Sequence, residues 1–140
     1  MAEESTGATS VVMQVESRAR VEFKDITASL QKLIADSGVE SGLLHLFVPH
    51  TTAAILINEN DDPSLAHDVE EFLAKLAPRD REYHHNDGNC DAHLKASVIG
   101  VSKTLMIDHG RLVLGTWQGV FFCEFDGPRR RNLRVKIVSD

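Results

Sequence analysis

Residues 112–125, LVLGTWQGVFFCEF, restrict the fold more than any other stretch, because they are apolar on both sides of a strand. Val113, Trp117, Phe121 and Phe125 alternate with Leu114, Val120 and Phe122. Successive side chains of a strand point to opposite faces, so this one needs a cover above and below. Helices can supply one cover. In a chain of 140 residues the other points to a neighbouring subunit, and an oligomer is expected. Gly115 and Gly119 interrupt the run, which marks a bulge or a close approach of backbone or ligand. Gln118 is a polar side chain on an apolar strand and needs a hydrogen-bond partner if buried.

The other elements follow from periodicity. A strand is expected over 10–24, and a helix from Asp25, with Ile26, Leu30, Leu33 and Ile34 on one face and Gly38 as its stop. Strands are expected at 43–48 and 53–58. A second helix starts near Asp62-Pro63, with Asp as cap and Pro at the first position, and carries Leu65, Val69, Phe72 and Leu76 on one face. Residues 78–92 form a long polar loop, followed by a short helical turn at 93–99. Strands at 101–107, 112–125 and 132–138 complete the chain, with a turn at Asp108–Arg111. Strands outnumber helices and cluster late. The fold class is therefore α+β, a compact single domain over 10–140 with a mixed or antiparallel, sandwich-like sheet and two main helices.

Bulk properties exclude several functions. Apolar residues are 42% of the chain, enough for an ordered core, and the apolar runs are too short to span a bilayer. The formal charge of -6 argues against nucleic acid as a partner. MAEESTGATS has no apolar signal region, so residues 1–9 read as a flexible tail. Two cysteines, Cys90 and Cys123, make no disulfide framework, and a cytoplasmic location without membrane association is expected.

Of seven histidines, three stand apart. His67 lies opposite the apolar face of its helix and reads as exposed. His109 sits in a turn, and His45 shares a strand face with Leu43 and Phe47, reading as buried or interfacial. His50 ends a strand, while His85 and His93 bracket the polar loop. Three imidazoles that leave a coordination position open suit a zinc-like divalent ion, with Asp91 orienting one of them. The spacing matches no standard metal motif, and His84-His85 reads equally as a solvated pair.

Asn58-Glu59-Asn60-Asp61-Asp62 follows a strand. Glu59 is a candidate general base, and Asp62 either holds a cation or caps the helix. Thr51 and Thr52 offer hydroxyls beside His50 or simply favour the strand. Arg129, Arg130 and Arg131 form either a phosphate-binding turn or a solvated basic one.

HTTAAILINENDDP, YHH…DGNCDAHLKAS and GRLVLGTWQGVFFCEFDGPRRR resemble the YjbQ family, also called the secondary thiamine-phosphate synthase family. The likeness extends from about residue 10 to the C-terminus. It implies a homotrimer and a synthase that joins a pyrimidine diphosphate to a thiazole phosphate and releases diphosphate. It selects His50, His85 and His93 as the metal set, with His85 preferred to His84. It also draws Thr51, Asn58, Glu59, Asn60, Asp62, Gln118 and Arg129 to Arg131 towards the site. The expected roles are His50, Glu59 and Gln118 in catalysis, Thr51, Asn60 and the arginines on a small phosphorylated metabolite, and Asp62 and Asp91 supporting the metal. Diphosphate suits Mg2+, which prefers oxygen ligands, whereas three histidines favour a zinc-like ion. A metal-dependent hydrolase and a non-catalytic metal- or phosphometabolite-binding trimer are the alternatives.

Overall fold

The computed structural model describes residues 7–140. Its elements run β1 (Ala8–Glu16), β2 (Glu22–Asp25), α1 (Thr27–Ser37), β3 (Gly42–Phe47), β4 (Ala53–Glu59), α2 (Pro63–Leu76), α3 (Cys90–Ile99), β5 (Ser102–Asp108), β6 (Arg111–Leu112), β7 (Gln118–Glu124) and β8 (Arg130–Ser139). The tail expected at 1–9 lies mostly outside the described residues. Its last two residues are not tail, because Ala8 and Thr9 pair with Val138 and Ile137.

Strict alternation makes β3 and β8 sheet strands with one dry face. Leu44 and Leu46 of β3 are buried while Leu43, His45 and Phe47 face outward. Leu133, Val135 and Ile137 of β8 do the same between exposed polar residues. These strands form a five-stranded antiparallel sheet in the order β1-β8-β3-β5-β6, and a second sheet has the order β2-β7-β4.

The doubly apolar strand β7 is the middle of the smaller sheet. Val120 and Phe122 join the core shared with the large sheet and with Leu30 and Ile34 of α1. Phe121, Cys123 and Phe125 face a second core containing Leu73 of α2 and Ala92 and Ala96 of α3. Both faces are thus covered inside one chain, and this strand gives no reason for an oligomer. Each fully buried Phe or Leu here contributes about 1.5–3 kcal/mol through its removal from water.

The α+β class and antiparallel pairing agree with expectation, and four details differ. The strand expected at 10–24 breaks between β1 and β2, and the one at 112–125 breaks between β6 and β7. The turn at 93–99 is a full helix, α3. Its buried face is Asp91, Ala92, Lys95 and Ala96, so charged side chains hide the apolar period that would announce it. On α2 the face that packs inward centres on Leu73, leaving Phe72 63% and Leu76 53% exposed. Elsewhere the chemistry is as read. Asp62 caps α2 by accepting the Ser64 N–H at 2.9 Å, and Gly38 ends α1 at φ 74°.

Candidate functional site

Two ion clusters fix the elements around His50 and His93. In the first, Arg20, in the break between β1 and β2, grips the buried Asp91 with both Nη atoms, at 3.1 and 2.9 Å. Lys95, one helical turn along, donates to the same carboxylate at 3.0 Å. Burial alone would raise the Asp91 carboxyl, but these two cations outweigh it and hold it below its ordinary range. In the second, the buried Arg131 donates through Nε to Glu124 at 2.8 Å and through Nη2 to the Thr52 hydroxyl at 2.8 Å, and also contacts the second Glu124 oxygen. Ser17 and the Asp126 N–H complete the Glu124 shell. Again burial acts upward, and the Arg131 hydrogen bond with these donors brings the Glu124 carboxyl down.

Between the clusters lies a cleft of about 360 Å³ bounded by the β3–β4 connection, the start of α3 and the β7–β8 turn. His50, from the β3–β4 connection, and His93, from α3, both line it. His50 Nε2 accepts the Asn132 N–H of β8 at 2.9 Å. Burial, then the charge of Arg131, lowers its pKa below 6.5, so the ring is neutral and carries its proton on Nδ1. It is a fixed hydrogen-bond donor. His93 has no hydrogen bond to its ring nitrogens among the described residues; its ring meets that of His85 edge-on, centroids 4.8 Å apart. Arg129 is held by Asp126 through Nε and Nη2, at 2.8 and 3.1 Å, which leaves Nη1 for a ligand. Asn89 donates to the same Asp126 at 2.8 Å, and its own Oδ1 is buried without a partner among the described residues.

His50, Thr51, His93 and Arg129 therefore share a cleft, with His85 against His93. Arg131 also lines this cleft, and the other expected residues lie elsewhere. Arg130 points to the opposite face of β8 and pairs with Glu16 at 3.0 Å, whereas Arg131 is consumed by Glu124. Strand alternation divides the arginine run, so it is not a three-cation phosphate turn. Asp62 is a helix cap. Glu59 ends β4, roughly 20 Å along the strand from its start at ~3.3 Å per residue, and pairs with Gln118. Gln118 Oε1 accepts the Gly115 N–H at 2.8 Å, and Asn60 donates to Asp25 at 2.9 Å. These three form a separate polar group at the far end of the small sheet. Asn89 and Asp126 were not singled out by sequence; the polar loop and the FDGP turn that hold them were the available signals.

The metal reading does not fit these residues. No group of three or more His, Cys, Asp or Glu among the described residues is arranged to hold a metal ion. His50 already uses its unprotonated nitrogen, and Asp91 serves Arg20 and Lys95 rather than an imidazole.

Fold and cleft together define a class, a two-sheet α+β protein with a histidine-lined pocket beside an ion-clamped helix. The chain belongs to the YjbQ family: the model for "UPF0047 protein YjbQ-like" matches residues 11–140. A UPF0047 protein of Methanocaldococcus jannaschii is 50% identical over 127 residues, covering 91% of this chain and 92% of its own. The UPF0047 protein YugU of Bacillus subtilis is 41% identical, with coverage of 91% and 97%. The crystal structure of a YbjQ-like protein of unknown function from Sulfolobus solfataricus superposes at a TM-score of 0.91, at 33% identity, covering 95% of this chain and 98% of that one. An uncharacterized family member from Clostridium acetobutylicum gives 0.88 at 44% identity, with coverage of 91% and 99%.

These relatives correct the expected activity. They carry family names or the description of unknown function, and none is named as a thiamine-phosphate synthase. The synthase assignment is withdrawn. So are the metal-dependent hydrolase and the metal-binding trimer, which need an ion these residues are not arranged to hold.

Proposed function

We propose that the chain is an acid–base enzyme for a small anionic metabolite, carboxylated or phosphorylated, bound in the His50–His93 cleft. The carrying observation is the state of His50, a neutral imidazole fixed by a backbone N–H in a cleft beside arginine. A donor that needs no reorganisation suits an oxygen gaining negative charge. His93, whose ring nitrogens have no hydrogen bond among the described residues, is the group to move a proton, and Arg129 Nη1 matches an anionic oxygen.

Self-association is part of this reading. Leu43 and Met106 are exposed neighbours on the outer face of the large sheet, with Phe47 and Val12 on the same face either side of Arg134, a surface suited to a second copy. No described helix is long and apolar enough to cross a membrane. The two unpaired cysteines suit a reducing cytoplasm.

Inorganic phosphate, added while histidine ring signals are followed by NMR, tests the site. Saturable shifts at His50 and His93, absent at His67 and His109 and weakened in Arg129→Ala, are expected. Static His50 and His93 signals would defeat the proposal.

A further inference from the structure

The polar cleft does not end at the two histidines. Pro49, His50, Thr51 and His93 also line a second lobe of about 700 Å³ on their other side. Its walls have a different chemistry. Phe47, Val48 and Val101 form one side, and Ala96, Ser97 and Gly100 the other. Among the described residues no Asp, Glu, Lys or Arg side chain lines it. The trough exists because the sequence keeps the second wall small. Ala96 is buried and ends at Cβ, and a Cβ at Gly100 would meet only Lys103 Nζ, at 3.4 Å. Backbone hydrogen bonds hold each wall, Val48 N–H donating to Val101 O at 2.8 Å within the first and the Ile55 N–H of β4 to Gly100 O of the second at 3.0 Å. The lobe is therefore a pre-formed slot.

Resting on the reading above, we infer that the ligand is amphipathic: an anionic head beside Arg129 and His50, and a hydrocarbon body, a flat ring or an unbranched chain, in the Phe47–Ala96 slot. The argument is continuity with a change of polarity. Ligand sites combine a largely apolar surface with a few fixed polar groups, and here the polar groups stand at one end only. A strongly polar heterocycle is disfavoured, because among the described residues Ser97 is the only side-chain hydroxyl beyond Thr51 lining the slot, and it already donates to His93 O at 2.8 Å. The histidines stand at the junction of the lobes, so the bond they address is the one joining head to body.

Phenyl phosphate and inorganic phosphate, titrated separately by calorimetry, distinguish this inference from the reading beneath it. Phenyl phosphate is expected to bind about tenfold tighter or better, the gain from burying one ring. Ser97→Phe, on an exposed helical position, fills the slot and should remove that advantage while phosphate itself still binds. Equal affinities of the two probes for the native protein would overturn the amphipathic ligand and leave the anion site standing. Failure of both probes to bind would overturn the anion site as well. A preference for phenyl phosphate that survives Ser97→Phe would place the ring elsewhere and overturn the slot.

Discussion

His50 shows how one backbone contact decides what a side chain can do. Its Nε2 is engaged by Asn132, and burial beside Arg131 opposes protonation. The pH consequence has a definite sign. The folded ring has a lower pKa than the unfolded one, so on acidification the unfolded state takes up its proton first. The stability that His50 contributes is complete above 6.5 and is lost as pH falls through its folded value. Thermal melts across that range should show a steeper acid loss in the native chain than in His50→Gln. Equal slopes would contradict the neutral ring. The Glu124–Arg131 pair makes a second residue-scale prediction. Glu124→Ala strands a buried guanidinium and should cost about 3–5 kcal/mol in chemical denaturation, whereas replacing both partners by apolar residues should cost less. His50 and His93 line one cleft and His85 meets only the His93 ring; spacing alone left these three open, and the resemblance to the YjbQ family was what grouped them. The fate of the arginines was not legible in sequence. Three adjacent cations look equivalent until strand alternation sends one to the core and its neighbour to the surface.

At the scale of elements, legibility followed periodicity. The helix starting near Asp25 and the strand around Leu44 announced themselves because their buried positions are apolar. Helix α3 did not, since Asp91 and Lys95 occupy its inner face and satisfy one another with Arg20. Sequence patterns record hydrophobicity and miss a face buried through charge. The pairing of β3 with β8 offers a sharper test. A Cβ at Gly42 would stand 1.9 Å from the Val138 carbonyl oxygen, so the strands approach closely only because residue 42 lacks one. Gly42→Ala should destabilise the chain by about 1–3 kcal/mol in urea or guanidinium unfolding. An unchanged midpoint would mean that the two strands separate freely there.

For the whole molecule, the sequence argument for an oligomer from the doubly apolar strand fails, because two cores of one chain cover β7. The exposed apolar residues on the outer face of the large sheet, Leu43 and Met106 foremost, replace it. Arg134 and Lys136 stand on the same face. A charge introduced there, as in Met106→Arg, should lower the mass measured by sedimentation while leaving secondary structure intact. A native chain that sediments as a single copy would remove self-association from the proposal. The nine-residue pairing of β1 with β8 has one more implication, for how the protein is made. Glu16 meets Arg130 at a sequence separation of 114, and His50 meets its backbone donor at a separation of 82. During synthesis β3, β5 and β6 can pair as they emerge, but β1 has no partner in the large sheet and His50 no backbone donor until β8 has left the ribosome. Until then the nascent chain holds an apolar sheet face open, and the cleft is among the last parts of the molecule to acquire its working form.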